Sequence, residues 1–160
     1  MIRVVPFGLN QEQFAIMYSR HLERASSGAI EAIKTLLVQP IGPGMDEARV
    51  EVFLDEYGGT PSVWIYYHGK NNRVDSADPG IFPGRSMDLG LGLESLADID
   101  EQYFVEPETF PGLALTVPLL SRWVAECWWK AGGWSYPLPT TLSIHDYGPG
   151  KPLVLSKGGT

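Results

Sequence analysis

The chain has 160 residues, 19 acidic against 12 basic side chains, a net charge of −7 and one cysteine, Cys127. A length of this order suits a single domain, here 1–160, with enough surface to bury a core without disulfide staples, and a lone cysteine excludes an internal disulfide and fits a reducing compartment. With no apolar run of membrane-spanning or signal-peptide length and an acidic balance that repels phosphate, the expectation is a cytoplasmic protein with neither membrane nor nucleic acid as partner.

The first element lies between Asn10 and Val38, where Phe14, Met17, Tyr18, His21, Leu22, Ala25, Ala29, Ile33 and Leu37 recur at three- and four-residue steps. That spacing predicts an amphipathic helix with Asn10 as N-cap, Gln13 at the capping-box position and Pro40 as stop. Ser26-Ser27-Gly28 is a candidate bend. The period then falls to two over Arg49–Asp55, with Val50, Val52 and Leu54 on one face. A Gly58-Gly59-Thr60-Pro61 turn leads to the aromatic and β-branched run Ser62–His68, and the two runs together predict an antiparallel hairpin. From Asn71 to Pro118 the pattern weakens, with a short helix expected near Leu93–Asp98 and a turn of helix or strand around Gln102–Val105. Pro118–Ala131 carries a stripe of Leu120, Trp123, Val124, Cys127 and Ala131, ended by Gly132-Gly133, and predicts a second, Trp-rich helix. Thr141–Tyr147 alternates as a strand, with Leu153–Leu155 pairing beside it. Gly and Pro clusters at Pro40–Gly44, Asp78–Gly84 and Gly148–Pro152 read as loops, and no repeat period is present. The expected fold is α+β: an antiparallel sheet with an N-terminal long helix and a C-terminal Trp-rich helix packed on it.

No residue set amounts to a catalytic constellation. Cys127 is the best nucleophile by chemistry, yet it lies on the apolar stripe of its helix and reads as a packing residue. His145-Asp146 pairs an imidazole with a carboxylate, but neighbours in a strand point to opposite faces. His21 and His68 stand at no metal-ligand spacing, so neither metal nor other cofactor is expected. Gly90-Leu91-Gly92-Leu93 lacks the third glycine and the lysine of a phosphate loop.

The most informative segment lies between Arg85 and Arg122, which has no Lys or Arg but carries Asp88, Glu94, Asp98, Asp100, Glu101, Glu106 and Glu108. Interleaved are Tyr103, Phe104 and Phe110. Carboxylates that steer, with rings that anchor, suit docking on a basic protein partner. The expected partner surface is therefore Glu94, Asp98, Asp100, Glu101, Tyr103, Phe104, Glu106, Glu108 and Phe110.

The stretch Trp123-Val124-Ala125-Glu126-Cys127-Trp128-Trp129-Lys130-Ala131-Gly132-Gly133, followed by Pro137 and Ile144-His145-Asp146, resembles small cytosolic bacterial immunity proteins of polymorphic or contact-delivered toxin systems. The resemblance covers the C-terminal quarter. It implies a compact, acidic, non-catalytic protein that blocks or covers the active site of a toxin, and it carries no binding residue onto this chain. Two other functions compete with a toxin inhibitor: a small hydrolase-like enzyme with His145 as general base beside Asp146 or Glu126, and a subunit of a larger assembly held by the tryptophan cluster.

Overall fold

The computed structural model describes residues 6–42, 44–55, 58–69, 86–145 and 152–158. Among them the elements run α1 (Gln11–Leu37), β1 (Met45–Phe53), β2 (Ser62–Gly69), β3 (Ser86–Asp88), α2 (Gln102–Val105), α3 (Gly112–Lys130), β4 (Pro139–Ile144) and β5 (Leu153–Lys157). Short 3-10 turns occupy Glu94–Asp98 and Gly133–Ser135. The architecture is α+β, as the periodicities indicated.

The capping box forms at the start of α1: the Asn10 side chain accepts from the Gln13 backbone N–H at 2.8 Å, and Gln13 Oε1 accepts from the Asn10 N–H at 3.0 Å. The helix runs unbroken through Ser26-Ser27-Gly28. Ser26 is a junction rather than a break. Its hydroxyl donates to the Leu22 carbonyl one turn back and accepts the indole N–H of Trp123 at 2.8 Å, joining α1 to α3.

The expected hairpin is present, with Val50 opposite Ile65 and Val52 opposite Val63. Strand order is β3-β2-β1-β4-β5. Three of the four pairings are antiparallel, and the fourth is not: β4 lies parallel to β1, with Val50 beside Leu142 and Val52 beside Ile144. A parallel neighbour needs a long crossover, and α3 with its flanking turns supplies it, carrying the chain from the β3 edge across to β4.

Along each long strand one residue parity is buried: Ala48, Val50 and Val52 on β1, Val63, Ile65 and Tyr67 on β2, and Thr140, Leu142 and Ile144 on β4. These side chains form one face of the sheet. Against it lies α3, which contacts β4 and β5, and α1 packs on α3. From α3 the core takes Leu120, Trp123, Val124, Cys127 and Trp128, all buried, while Trp129 faces outward. Tyr67 and Tyr136 meet in the core through their hydroxyls at 2.7 Å.

The second helix begins at Gly112, six residues before the expected start at Pro118. A proline within a helix deprives the carbonyl four residues earlier of its donor. Here that carbonyl belongs to Ala114, and both Ala114 and Pro118 are exposed, on the solvent side of the helix where such a loss costs least. At the other end Gly132 takes the left-handed conformation, φ 91°, and its N–H reaches the Trp129 carbonyl.

Both sheet edges are blunted. β3 has three residues. On β5 the register shifts so that Thr140 pairs with Ser156 and Thr141 with Val154, leaving Leu155 between them. The indole N–H of Trp129 donates to the Leu155 carbonyl at 3.1 Å, so a group that could have recruited a foreign strand is already satisfied. No described helix is long and apolar enough to cross a membrane.

Gly133 sits buried against the indole of Trp128, and a Cβ there would collide with Nε1 and Cδ1 of that ring. Gly133→Ala is expected to cost about 1–3 kcal/mol through overpacking, read as a lower midpoint of urea unfolding at unchanged slope.

Candidate functional site

The acidic segment follows β3. Gly90 and Gly92 take positive φ, 60° and 75°, and alternate with Leu91 and Leu93, which turn into the core. The Gly-Leu-Gly-Leu run is thus a tight apolar lining. Leu96, Ile99, Tyr103, Phe104 and Phe110 continue it inward.

Tyr103, Phe104 and Phe110 therefore do not stand on the surface as anchors for a partner. Tyr103 is fully buried, and Phe104 and Phe110 are 8% and 7% exposed. Tyr103 lies 4.9 Å from Phe14 and 5.0 Å from Phe110 between ring centroids, and Phe14 lies 5.3 Å from Phe110. Phe7 caps the group at 4.9 Å from Tyr103. The physical reason is the demand for burial: a segment with so little regular structure holds to the body only through large apolar side chains. The Tyr103 hydroxyl adds two polar ties, donating to the Pro6 carbonyl at 2.6 Å and accepting from the Leu9 N–H at 3.1 Å.

The carboxylates remain outside. Glu94, Glu101, Glu106 and Glu108 are exposed, and Asp98 and Asp100 are partly so. Two of these brace their own turns: Asp100 accepts from the Gln102 N–H at 2.8 Å, and Glu106 accepts from the Thr109 hydroxyl at 3.1 Å. His21 stands at the margin of this surface rather than on the inner face of α1, with Nδ1 3.4 Å from the Ser95 hydroxyl. Its pKa is held below the ordinary histidine value by partial burial and by Arg24, against the opposing pull of Asp98.

The chemically reactive candidates are placed differently. Cys127 is buried, and burial pushes its thiol up to about 11, outweighing the lowering effects of Lys130 and of the hydrogen bond to Ser26. His145 follows β4, with its backbone N–H donating to the Val52 carbonyl at 2.8 Å and its ring 4.7 Å from that of Phe53. It follows the inward-facing Ile144 and so turns to the sheet face away from the helices, whereas Glu126 is an exposed residue of α3. The sheet separates the two. Asp146 lies outside the described residues. No group of three or more His, Cys, Asp or Glu side chains that could hold a metal occurs among the described residues.

One surface went unread in the sequence. The outward parity of the strands carries Phe53 on β1 and Trp64 and Tyr66 on β2, with His145 beside Phe53. Ring centroids of Trp64 and Tyr66 lie 6.5 Å apart at 27°. Cross-strand neighbours share a face, so Trp64 is flanked by Glu51 on one side and Asp88 on the other, and Tyr66 by Arg49 and Ser86. Arg49 is itself held by Glu47 at 3.0 Å. The signal was present in Ser62–His68, where aromatic residues occupy both parities instead of one.

No family model, curated protein or solved structure matches this chain.

Three outcomes follow from the buried groups. Tyr103→Phe leaves the Leu9 N–H without its acceptor and is expected to cost about 1–2 kcal/mol, measured as a shift of the urea midpoint. Native Cys127 should resist a thiol reagent at pH 8 and react fully once the chain is unfolded in denaturant. Because its folded pKa is raised, this thiol contributes no loss of stability below the ordinary cysteine value; above it the unfolded chain ionises first, so stability should fall from about pH 9 toward about pH 11. Cys127→Ala should flatten that part of the pH profile of unfolding free energy.

Proposed function

We propose that this protein is a non-catalytic inhibitor that binds a basic protein partner, and that the partner is a bacterial toxin domain whose active site it covers. The observation that carries this reading is the acidic surface spanning Glu94, Asp98, Asp100, Glu101, Glu106 and Glu108, mounted on a buried aromatic floor. A charged surface that is already ordered before binding loses little conformational entropy on association. Its field also raises the encounter rate with a positively charged partner. The buried, protonated thiol of Cys127 supports a non-nucleophilic role for the one cysteine and suits the reducing cytoplasm. The resemblance of the Trp123–Gly133 stretch to immunity proteins points the same way.

The test is capture from source lysate by the tagged protein and by a variant carrying Asp98→Ser, Asp100→Ser and Glu101→Ser, with low-salt and high-salt washes. A stoichiometric basic protein should be retained by the parent, released by salt, and held at least tenfold more weakly by the variant. When the purified partner is an enzyme, adding the parent back should abolish its activity. A partner bound equally by both forms would remove the acidic surface from the mechanism, and a parent that retains no basic protein would remove the inhibitor reading.

A further inference from the structure

The partner-binding role proposed above leaves open what the aromatic face of the sheet does. Across β1, β2 and β3 this face carries the row Glu51, Trp64, Asp88, with each acidic residue directly opposite Trp64 in the ladder. Adjacent strands lie about 4.8 Å apart, so the two carboxyl-bearing positions bracket the ring at a separation of roughly 10 Å. Among the described residues, ion pairs join Arg49 to Glu47 and Lys34 to Glu31, and neither takes in Glu51 or Asp88, although Asp88 Oδ1 accepts the Gly90 N–H at 2.9 Å. Trp64 and Glu51 are partly exposed and Asp88 is exposed.

An electron-rich indole whose two cross-strand neighbours are acidic is complementary to one chemical group above others, a planar cation. A guanidinium can lie flat on an indole while its N–H groups fork toward carboxylates on either side. An ammonium, compact and strongly hydrated, gains less from the same geometry. Tyr66 lengthens the platform along β2, and its distance of 6.5 Å from Trp64 is close to the repeat of alternate residues in an extended chain. Unpaired bases of a nucleic acid could stack on these rings too, but their phosphates would meet Glu51, Asp88 and a chain of net charge −7.

We propose that the open face of the sheet is a receptor for an arginine side chain of an extended protein segment, with Trp64 as the stacking platform and Glu51 and Asp88 as the flanking carboxylates. This deepens the protein-binding role by giving the partner a second point of attachment, on the opposite side of the molecule's core from the helices. It rests on that reading for its biological context and on the Glu51, Trp64, Asp88 row for its chemistry.

The test uses the full chain labelled with nitrogen-15, in which the five tryptophan indole N–H resonances are followed during titration with an eight-residue peptide of alternating arginine and glycine. The Trp64 resonance should move while the others stay in place. Trp64→Ala, a change on the solvent side that spares the core, should weaken the peptide at least fivefold. The pair Glu51→Gln and Asp88→Asn should weaken it at least threefold and flatten its salt dependence, and the same peptide with citrulline for arginine should leave Trp64 unmoved. Unchanged affinity in Trp64→Ala would overturn the site, as would a stationary Trp64 resonance, or an equal response to the citrulline peptide or to oligouridylate. The two readings fail separately. A lysate partner held equally by the parent and Trp64→Ala but lost from the Asp98, Asp100, Glu101 variant removes this receptor and leaves the inhibitor; a parent that captures no basic protein removes the inhibitor, while the peptide titration still decides the receptor.

Discussion

Both long helices serve the same side of one sheet, since α3 packs on β4 and β5 and α1 packs on α3. That one-sidedness governs most of what else the molecule must do. A sheet covered on one face needs strands whose parities differ, and β1 meets the need with Ala48, Val50 and Val52 inward and Glu47, Arg49 and Glu51 outward. Stacking α1 on α3 also demands that α3 be apolar around most of its circumference, and Leu120, Trp123, Val124, Ala125, Cys127 and Trp128 supply that. The polar bond from Trp123 to Ser26 then fixes where along its length α1 sits on α3. No described helix covers the other face, which is therefore available for recognition.

The acidic segment solves a different problem. Residues 89–110 contain one brief 3-10 turn and one turn of α-helix, too little hydrogen-bonded structure to stand alone. Their order comes from rings: Tyr103 and Phe110 against Phe14 on α1, with Phe7 closing the cluster. This converts a flexible chain of carboxylates into a surface of fixed shape. The Tyr103 hydroxyl, bonded at Pro6 and Leu9, ties the approach to α1 into the same cluster.

Much of this was legible from residues alone. The capping box at Asn10, the stripe of α1, the hairpin of β1 and β2 and the glycine stop after α3 follow from local rules, because each depends on neighbours a few positions away. Three features did not. Pro118 suggested a helix start, and only the exposure of Ala114 explains why the helix passes through it. Ser26-Ser27-Gly28 suggested a bend, and only the distant Trp123 explains why Ser26 belongs there. The direction of β4 could not be read at all, since parallel and antiparallel neighbours alternate alike in sequence. The acidic character of the 94–108 surface was visible directly, but whether its aromatic residues face water or core is decided by α1, far away in the chain, and the aromatic row of β2 was masked by the hairpin pattern that contains it.

The parallel bond between β1 and β4 has a bearing on how the molecule comes into being. Val50 has Ile65 on one side, close behind it in the chain, but Leu142 on the other. During synthesis the hairpin can close early, yet the central strand keeps one open flank until β4 has left the ribosome. Long-range pairing of this kind slows folding, and the flank awaiting its neighbour belongs to a strand whose inward residues Ala48, Val50 and Val52 are apolar. Loss of β4 would thus leave the middle strand β1 exposed to other chains, so the sheet depends on β4 more than on either of its edge strands.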